Sequence, residues 1–326
     1  HFYYALVLVI KVVCGSIVLR ASHLNWALSF FGVWMTSIVC WRNVEQEKGL
    51  AWVLGDGLWV VSDTRVSSGG STMTDNCPKV TSISAFTYED SDIQRSNPKC
   101  IFRFGFGFAG STLIGSNVRE MLSTFVGNLS ELHDYDQPNY PYEKKLPSLM
   151  EISELCKKLG ETYISSLGFS FPNSARCEFL VFGCCPKTKE YRTIVLRNSP
   201  ANPTVLNISE KSLNDGECIV LGDQKERVTG SIDGIKAKLI SYKKPIHYAP
   251  IYALDSILEE DSGTIGGFLQ LCISSTLDTK QFFISTDKSD KNSYQIAGFN
   301  LMSELSILGG FLVCMPNGIR IPRLIV

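Results

Sequence analysis

The chain has 326 residues, of which 44% are hydrophobic and 19% are charged, and its formal net charge is −1. This length and composition indicate a globular protein with one large domain or two smaller ones. The near-neutral net charge gives no electrostatic case for nucleic-acid binding, which normally requires a basic face, so we expect no nucleic-acid partner.

Eleven cysteines are scattered along the chain, and none forms a Cys-x-x-Cys pair. Their odd number and irregular spacing favour free, mostly buried thiols in a reducing compartment, and we therefore expect a cytoplasmic protein. No His/Cys spacing suggests zinc, and the four histidines fall in no Ser/His/Asp pattern. We expect neither a metal nor an organic cofactor.

The N-terminal segment differs in character from the rest of the chain. Residues 2–19 are almost wholly apolar, with Lys11 in the middle, and residues 27–41 are apolar again. The first run is long enough for a membrane helix, although a central lysine is costly there. Three interpretations stay open for residues 1–34: a membrane anchor or signal segment, a propeptide, and an upstream extension of a protein that starts at Met35. We therefore divide the chain into an N-terminal extension, 1–35, and a folded domain, 36–326.

From Thr36 onward, short apolar and β-branched runs predict strands. These predicted strands cover 36–42, 58–63, 79–86, 100–108, 176–185, 190–197, 218–221, 267–274, 281–285 and 311–315. The Ser/Gly/Thr-rich run 66–75 predicts a loop. Apolar residues at helical spacing predict a first helix that includes Val118 and extends to Leu132. A capping box at Ser148 and Glu151 starts a second helix, and two more helices are predicted at 225–241 and 250–260.

The order of these elements decides the fold class. The predicted order is strands, two helices, strands, two helices and strands. This order is not the strand–helix alternation of a parallel βαβ sheet. The order predicts an α+β fold, namely a four-layer αββα sandwich in which two mainly antiparallel sheets stack between helix pairs.

The sequence supplies a candidate threonine nucleophile, Thr36, and two candidate supporting groups, Asp63 and Lys79. A threonine hydroxyl needs a base, and the residue's own α-amine can serve when threonine begins the chain. Removal of Met35, which precedes a small residue, would expose that amine. The amine titrates near ~8 when unperturbed, and a neighbouring lysine ammonium would lower its pKa. Asp63 would keep Lys79 charged and oriented.

Three short segments carry a resemblance to a known family. In order and direction, they resemble segments of the proteasome β-subunit group of N-terminal-nucleophile hydrolases, bacterial relatives included. The segments are Met35-Thr-Ser-Ile-Val39, Val60-Val-Ser-Asp-Thr-Arg65 and Lys79-Val80. The resemblance extends from Thr36 to about Pro322. It implies the αββα fold and a threonine-type amide hydrolase, a peptidase, that acts after loss of residues 1–35. It further implies a homo-oligomeric ring, a peptide or unfolded-protein substrate, and an unfoldase partner.

Gly105, Gly107 and Gly110 match the spacing G-x-G-x-x-G after a strand and before a helix. Three interpretations stay open. The glycines form a dinucleotide site, with Glu131 as its acidic residue. They allow close strand–helix packing. Alternatively, Ala109-Gly110 resembles the Ala-Gly turn of the family, which implies that the Gly110 N–H is an oxyanion donor.

Two further segments depart from the pattern of the family. Gly222-Asp223-Gln224 stands where the family carries Gly-Ser-Gly, so the serine is absent. Residues 261–267 resemble Asp-x-x-Ser-Gly-Gly with one extra residue, which implies that Asp261 helps to orient the site. Whether Ser262 or Thr264 replaces the family's serine stays open. Two rival functions stay open: a catalytically silent ring-forming or scaffold protein, which the altered serine positions favour, and an amidohydrolase of the same fold that acts on a small molecule.

Overall fold

The computed structural model describes residues 36–44, 56–68, 71–88, 92–131, 142–170, 175–260, 263–286, 295–300, 307–312 and 318–321. The predicted N-terminal extension, 1–35, lies outside the described residues, and so do Asp261 and Ser262. Within the described ranges, no helix combines the length and the apolar character that a membrane crossing would require.

Strands dominate the structure. They are β1 (Ser37–Asn43), β2 (Gly57–Ser62), β3 (Val66–Ser68), β4 (Ser71–Thr74), β5 (Val80–Tyr88), β6 (Lys99–Gly110), β7 (Leu129–Ser130), β8 (Cys177–Cys184), β9 (Tyr191–Asn198), β10 (Leu206–Lys211), β11 (Cys218–Gly222), β12 (Gln270–Ser274), β13 (Thr279–Thr286), β14 (Gln295–Ile296), β15 (Phe299–Asn300), β16 (Ile307–Leu308), β17 (Phe311–Leu312) and β18 (Gly318–Ile321). The helices are α1 (Thr112–Val126), α2 (Tyr142–Lys145), α3 (Leu149–Ser170), α4 (Lys225–Ser241) and α5 (Ala249–Glu259), and a 3₁₀ turn (Ile246–Tyr248) precedes α5.

Most of the strands join two six-stranded sheets. The first has the order β11-β1-β2-β12-β13-β18, and the second has the order β10-β9-β8-β6-β5-β7. Neighbouring strands are antiparallel except for the β13–β18 and β5–β7 pairs. The structure therefore confirms a mixed, strand-rich fold in which antiparallel pairing prevails.

Alternation along the strands distributes the apolar side chains over separate clusters. On β1, Val39 and Trp41 pack with α4 and α5, whereas Ile38 and Cys40 pack with side chains of β8 in the other sheet. A further cluster joins the opposite face of the second sheet to α1 and α3. The two sheets thus contact one another directly, and side chains of β1 take part in this contact.

Two sequence predictions about local structure are wrong. The run 66–75 is not a plain loop, because β3 and β4 pair as a short antiparallel hairpin within it. The first helix ends at Val126, not at Leu132, because Gly127 caps it and Leu129 joins the second sheet beside Thr87. The apolar spacing places Leu129 on the helix face, because an apolar residue at this spacing suits either structure.

The strand β10 was not predicted. Its residues, Leu-Asn-Ile-Ser-Glu-Lys, include several polar ones, and it forms the edge of the second sheet, where one side of a strand needs no apolar partner. The predicted capping box is present: the Ser148 hydroxyl accepts the N–H of Glu151, and the Glu151 carboxylate accepts the N–H of Ser148.

Candidate active site

Asp63 and Lys79 form a buried ion pair between the two sheets. Asp63 follows β2 of the first sheet, and Lys79 precedes β5 of the second. The Lys79 Nζ atom lies 3.0 Å from Asp63 Oδ1, and both side chains are 0% exposed. A surface ion pair, the ordinary interpretation of such strand ends, is therefore excluded.

Four N–H groups converge on the Asp63 carboxylate. Oδ1 accepts the backbone N–H of Ser37 at 3.0 Å in addition to Lys79 Nζ. Oδ2 accepts the backbone N–H groups of Arg65 and Gly266, each at 3.2 Å. Lys79 Nζ also donates to the carbonyl oxygen of Arg65. This shell supplies the hydrogen bonds that a buried carboxylate and a buried ammonium need.

Burial and pairing act in opposite directions on the two groups. Burial raises the pKa of Asp63, whereas the charge of Lys79 and the N–H groups of Ser37 and Gly266 oppose this rise. Burial lowers the pKa of Lys79, and Asp63 opposes that change. Burial is the larger effect on both groups, so the pKa of Asp63 is raised and the pKa of Lys79 is lowered from their ordinary values. Lys79 thus holds its proton less tightly than a surface lysine does.

Thr36 lies immediately beside this pair and is 1% exposed. Its neighbour Ser37 donates to the same Asp63 Oδ1 that binds Lys79. On its other side, the carbonyl oxygen of Thr36 accepts the N–H of Asp223 at 2.8 Å. Gly222, with φ +93°, packs against this carbonyl so closely that a Cβ there would lie 1.8 Å from the oxygen. The backbone at Thr36 is therefore held from both directions.

The end of β6 approaches the same place. A Cβ at position 222 would lie 3.2 Å from the Ala109 side chain, so Gly222 adjoins both Thr36 and Ala109, the residue before Gly110. Gly110 has φ +97°, and a Cβ there would lie 2.5 Å from the carbonyl oxygen of Arg176. Only glycine suits this turn, because both the conformation and the space exclude a side chain.

The dinucleotide interpretation of the glycines is wrong. Gly105 and Gly107 lie inside β6, where Gly105 packs against the ring of Phe182 and Gly107 contacts Ile38 and Val80. After α1 and α3, the chain returns as β8 and pairs antiparallel with β6. The parallel βαβ unit of a dinucleotide site is therefore not formed, and the packing interpretation holds for these two glycines.

Thr264 reaches the turn at 222–224. Its hydroxyl donates to Asp223 Oδ2 at 2.6 Å and accepts from Gln224 Nε2 at 3.0 Å. Thr264 is thus the hydroxyl that the structure brings to this turn, whereas Asp261 and Ser262, the other predicted residues of the segment, lie outside the described residues. Arg65, at the end of the same buried segment as Asp63, binds Asp75 with 2.7 Å between Nε and Oδ1.

Sequence reasoning missed two residues of the site. The Gln270 Oε1 atom accepts the N–H groups of Lys79 and Val80 at 2.9 and 3.2 Å, which fixes the backbone at Lys79. Glu178 is buried in β8 and accepts the N–H of Gly222 at 2.7 Å. The one available signal for Glu178 was a charged residue within the apolar run Cys-Glu-Phe-Leu-Val-Phe. Within the part of the chain that is described, no three His, Cys, Asp or Glu residues cluster in a way that would hold a metal ion.

Comparison with known proteins gives only a distant likeness. No family model matches the chain, and no curated protein matches it. Among the solved structures that match is Anbu (ancestral beta-subunit) from Yersinia bercovieri, with 16% sequence identity and a TM-score of 0.44. The match covers 75% of this chain and 86% of that chain. At this TM-score, the likeness carries no argument about activity.

The identification of the chain as a member of the proteasome β-subunit group is therefore wrong, because no family model matches. The three segments behind it are short. The roles of Thr36, Asp63, Lys79 and Gly110 consequently depend on their geometry in this molecule.

Proposed function

We propose that this protein is a threonine-type amide hydrolase whose nucleophile is Thr36, once Thr36 is the first residue of the chain. The observation that carries the proposal is the Asp63 Oδ1 atom, which binds both the Lys79 ammonium and the N–H of Ser37. This shared atom keeps a buried cation beside the backbone that bears the nucleophile. A structural ion pair alone would not need to be next to a threonine at the start of a strand.

The chemistry follows from these neighbours. The free α-amine of Thr36 takes the proton of its own hydroxyl as Oγ1 attacks the carbonyl carbon of an amide. The proton then passes to the leaving amine as the C–N bond breaks, and an ester to Thr36 remains. Water, deprotonated by the same amine, cleaves that ester. The charge of Lys79 favours the neutral amine, because a nearby cation lowers the pKa of an amine.

Stabilisation of the tetrahedral intermediate is assigned to the backbone N–H of Gly110. Gly110 ends β6 at the turn whose Ala109 packs against Gly222, and Gly222 in turn contacts Thr36. Backbone donors at a fixed turn are well suited to an oxyanion because they need no reorganisation. Thr264 and Asp223 support the opposite side of Thr36, and Asp261 is kept as a proposed orienting residue.

The wider setting is also part of the proposal. We assign residues 36–326 to one catalytic domain, with the two sheets and their helices arranged as a four-layer αββα sandwich. All the cysteines among the described residues are free, which supports a reducing compartment. Peptide substrates, a homo-oligomeric ring and an unfoldase partner stay predictions. Several large apolar side chains are mostly exposed and would support self-association; they are Ile93, Phe169, Leu277 and Phe311.

The decisive test is the intact mass of the protein expressed from its native gene, with and without an epoxyketone probe. This probe reacts with both the amine and the hydroxyl of an N-terminal threonine. We expect that the chain starts at Thr36 and gains one adduct. We also expect that the Thr36→Ser variant retains the adduct and that the Thr36→Ala variant loses it. A chain that keeps residues 1–34, or a Thr36 start without an adduct, would instead support a membrane-anchored protein or a catalytically silent scaffold.

The size of the substrate is tested on the same preparation. Hydrolysis of fluorogenic peptides without turnover of small amides would support a peptidase, and the reverse result would identify a small-molecule amidohydrolase. Both activities must disappear in Thr36→Ala to be attributed to this site.

A further inference from the structure

Glu178 is a buried carboxylate between the two sheets. On β8, the alternate residues Leu180 and Phe182 belong to the inter-sheet cluster, and Glu178 continues their side of the strand. Ala109, also a member of that cluster, stands opposite Glu178 in the β6–β8 register. The side chain of Glu178 is 3% exposed. A carboxylate in such a position is costly unless charges and N–H groups compensate it.

Three groups compensate this carboxylate. Oε1 lies 2.8 Å from Lys225 Nζ and 2.6 Å from Arg197 Nε, and Oε2 accepts the backbone N–H of Gly222 at 2.7 Å. Gly222 ends β11, which is the edge strand of the first sheet, so none of the described strands supplies an acceptor for this N–H on its outer side. Glu178, from the second sheet, provides the acceptor. Arg197 adds a hydrogen bond from Nη2 to the carbonyl oxygen of Val220 at 3.4 Å.

The hydrogen bond from Gly222 to Glu178 matters because the Gly222-Asp223 backbone contacts the carbonyl oxygen of Thr36. The next residue, Asp223, donates its N–H to the carbonyl oxygen of Thr36 at 2.8 Å. Gly222 itself lies against the same oxygen, without room for a side chain. A shift of the Gly222 backbone must therefore move Thr36. A hydrogen bond to a carboxylate is stronger than one to a neutral acceptor, so Glu178 limits this shift more than an amide would.

We infer that Glu178 is a positioning residue for Thr36, which acts by holding the Gly222-Asp223 turn that binds the Thr36 carbonyl. This inference rests on the proposed function of Thr36 for its effect on rate. Whether the Gly222-Asp223 turn is held in place can be measured by hydrogen exchange, without any enzymatic activity. Glu178 does not touch substrate, and its role passes through the backbone of Gly222.

The test uses Glu178→Gln in the chain that starts at Thr36, with two measurements on each protein. The first is the rate of Thr36 modification by the epoxyketone probe, separated into the maximal rate and the probe concentration at half-maximal rate. The second is hydrogen exchange of the Asp223 amide. Glu161→Gln is the matched control, because Glu161 also accepts a backbone N–H, that of Leu206 at 2.9 Å, but it does so at the far edge of the second sheet.

We expect Glu178→Gln to lower the maximal modification rate about 10- to 100-fold, since a small misplacement of a reacting group has effects of this order. The half-saturating probe concentration should stay within about twofold, because the probe's own contacts are kept. Exchange of the Asp223 amide should accelerate, because its hydrogen bond to Thr36 is no longer held. Glu161→Gln should change neither quantity.

A second variant separates positioning from general destabilisation. In Glu178→Gln, the new amide must present its NH₂ group either to Gly222 or to the side chains of Lys225 and Arg197, all of which are donors. Adding Lys225→Met and Arg197→Met leaves Gly222 as the remaining donor of these three, so the Gln oxygen can accept the Gly222 N–H. We expect the triple variant to recover most of the modification rate. A loss caused only by lower stability would not be recovered, because the hydrogen bond from Arg197 to Val220 is removed as well.

The outcomes distinguish this inference from the proposed function. Unchanged modification rate and unchanged Asp223 exchange in folded Glu178→Gln would overturn the inference, and so would a lower melting temperature without either change. Faster Asp223 exchange in a protein whose wild-type Thr36 is never modified would support the held turn and overturn the proposed chemistry. If Glu178→Gln fails to fold, Glu178→Asp keeps the charge but withdraws the carboxylate from the Gly222 N–H by one methylene, and the same two measurements apply.

Discussion

Gly222 lies against Thr36 so closely that a Cβ atom on Gly222 would approach the Thr36 carbonyl oxygen to 1.8 Å. We predict that Gly222→Ala displaces Thr36 and abolishes probe modification. Gly216→Ala is the matched control, because Gly216 has φ +78° but nothing within 4 Å of its Cβ position. The control should lose only about 1–2 kcal/mol of unfolding free energy, the cost of alanine in a left-handed conformation. Urea denaturation and intact mass measure the two effects. Equal losses in both variants would contradict the close contact.

Lys79→Met should destabilise the protein by about 3–5 kcal/mol near neutral pH, because it leaves the Asp63 charge buried without a partner. The loss should shrink in acid. Burial already raises the pKa of Asp63, and Lys79 opposes the rise, so its removal raises the folded-state pKa further. A raised folded-state pKa contributes stability below the unfolded pKa, about 3.9 for Asp, and this contribution is lost as pH rises through the folded-state value.

Urea denaturation of wild type and Lys79→Met between acidic and neutral pH checks this prediction. The control is Asp63→Asn combined with Lys79→Met, which removes both charges and should therefore show little of the pH dependence. A Lys79→Met protein whose deficit grows towards low pH would contradict the buried, ionised state of Asp63.

Thr264→Val should weaken the contact between the 263–267 segment and the turn at 222–224. The hydroxyl of Thr264 donates to Asp223 at 2.6 Å, and its loss should cost about 1.5–3 kcal/mol, as for hydrogen bonds to charged groups. Thr264→Ser keeps the hydroxyl and should restore most of the stability and the probe reaction. Thermal unfolding and the modification rate measure both quantities. A serine variant as weak as the valine variant would show that the methyl group matters, not the hydrogen bond.

The elements that the sequence predicted well are those with a regular pattern. Helix α4 has the predicted bounds, and β2, β5 and β6 lie within two residues of the predicted ones, because apolar spacing reports local periodicity directly. The β3–β4 hairpin and β10 were missed because their residues are polar or small. The proximity of Asp63 and Lys79 followed from residue types at strand ends, and their complete burial did not.

Local sequence patterns could not identify the residues that support the site, Glu178 and Gln270. Glu178 binds Gly222 and Lys225, which are 44 and 47 positions away. Gln270 binds the backbone of Lys79 over 191 positions. Nothing near either residue in the sequence identifies its partners, because the pairing of sheets brings them together. Thr264 could be named only as one of two candidates, since one extra residue in its segment shifts every offset.

The ion pair between the two sheets has a consequence for the order of events during folding. Asp63 is delivered by one sheet and Lys79 by the other, so neither sheet alone can assemble the pair. A nascent or partly folded chain would carry the threonine without its cation, and the proposed chemistry would begin only after the sheets have docked. The protein would thereby be protected from cutting itself or its neighbours before it has finished folding.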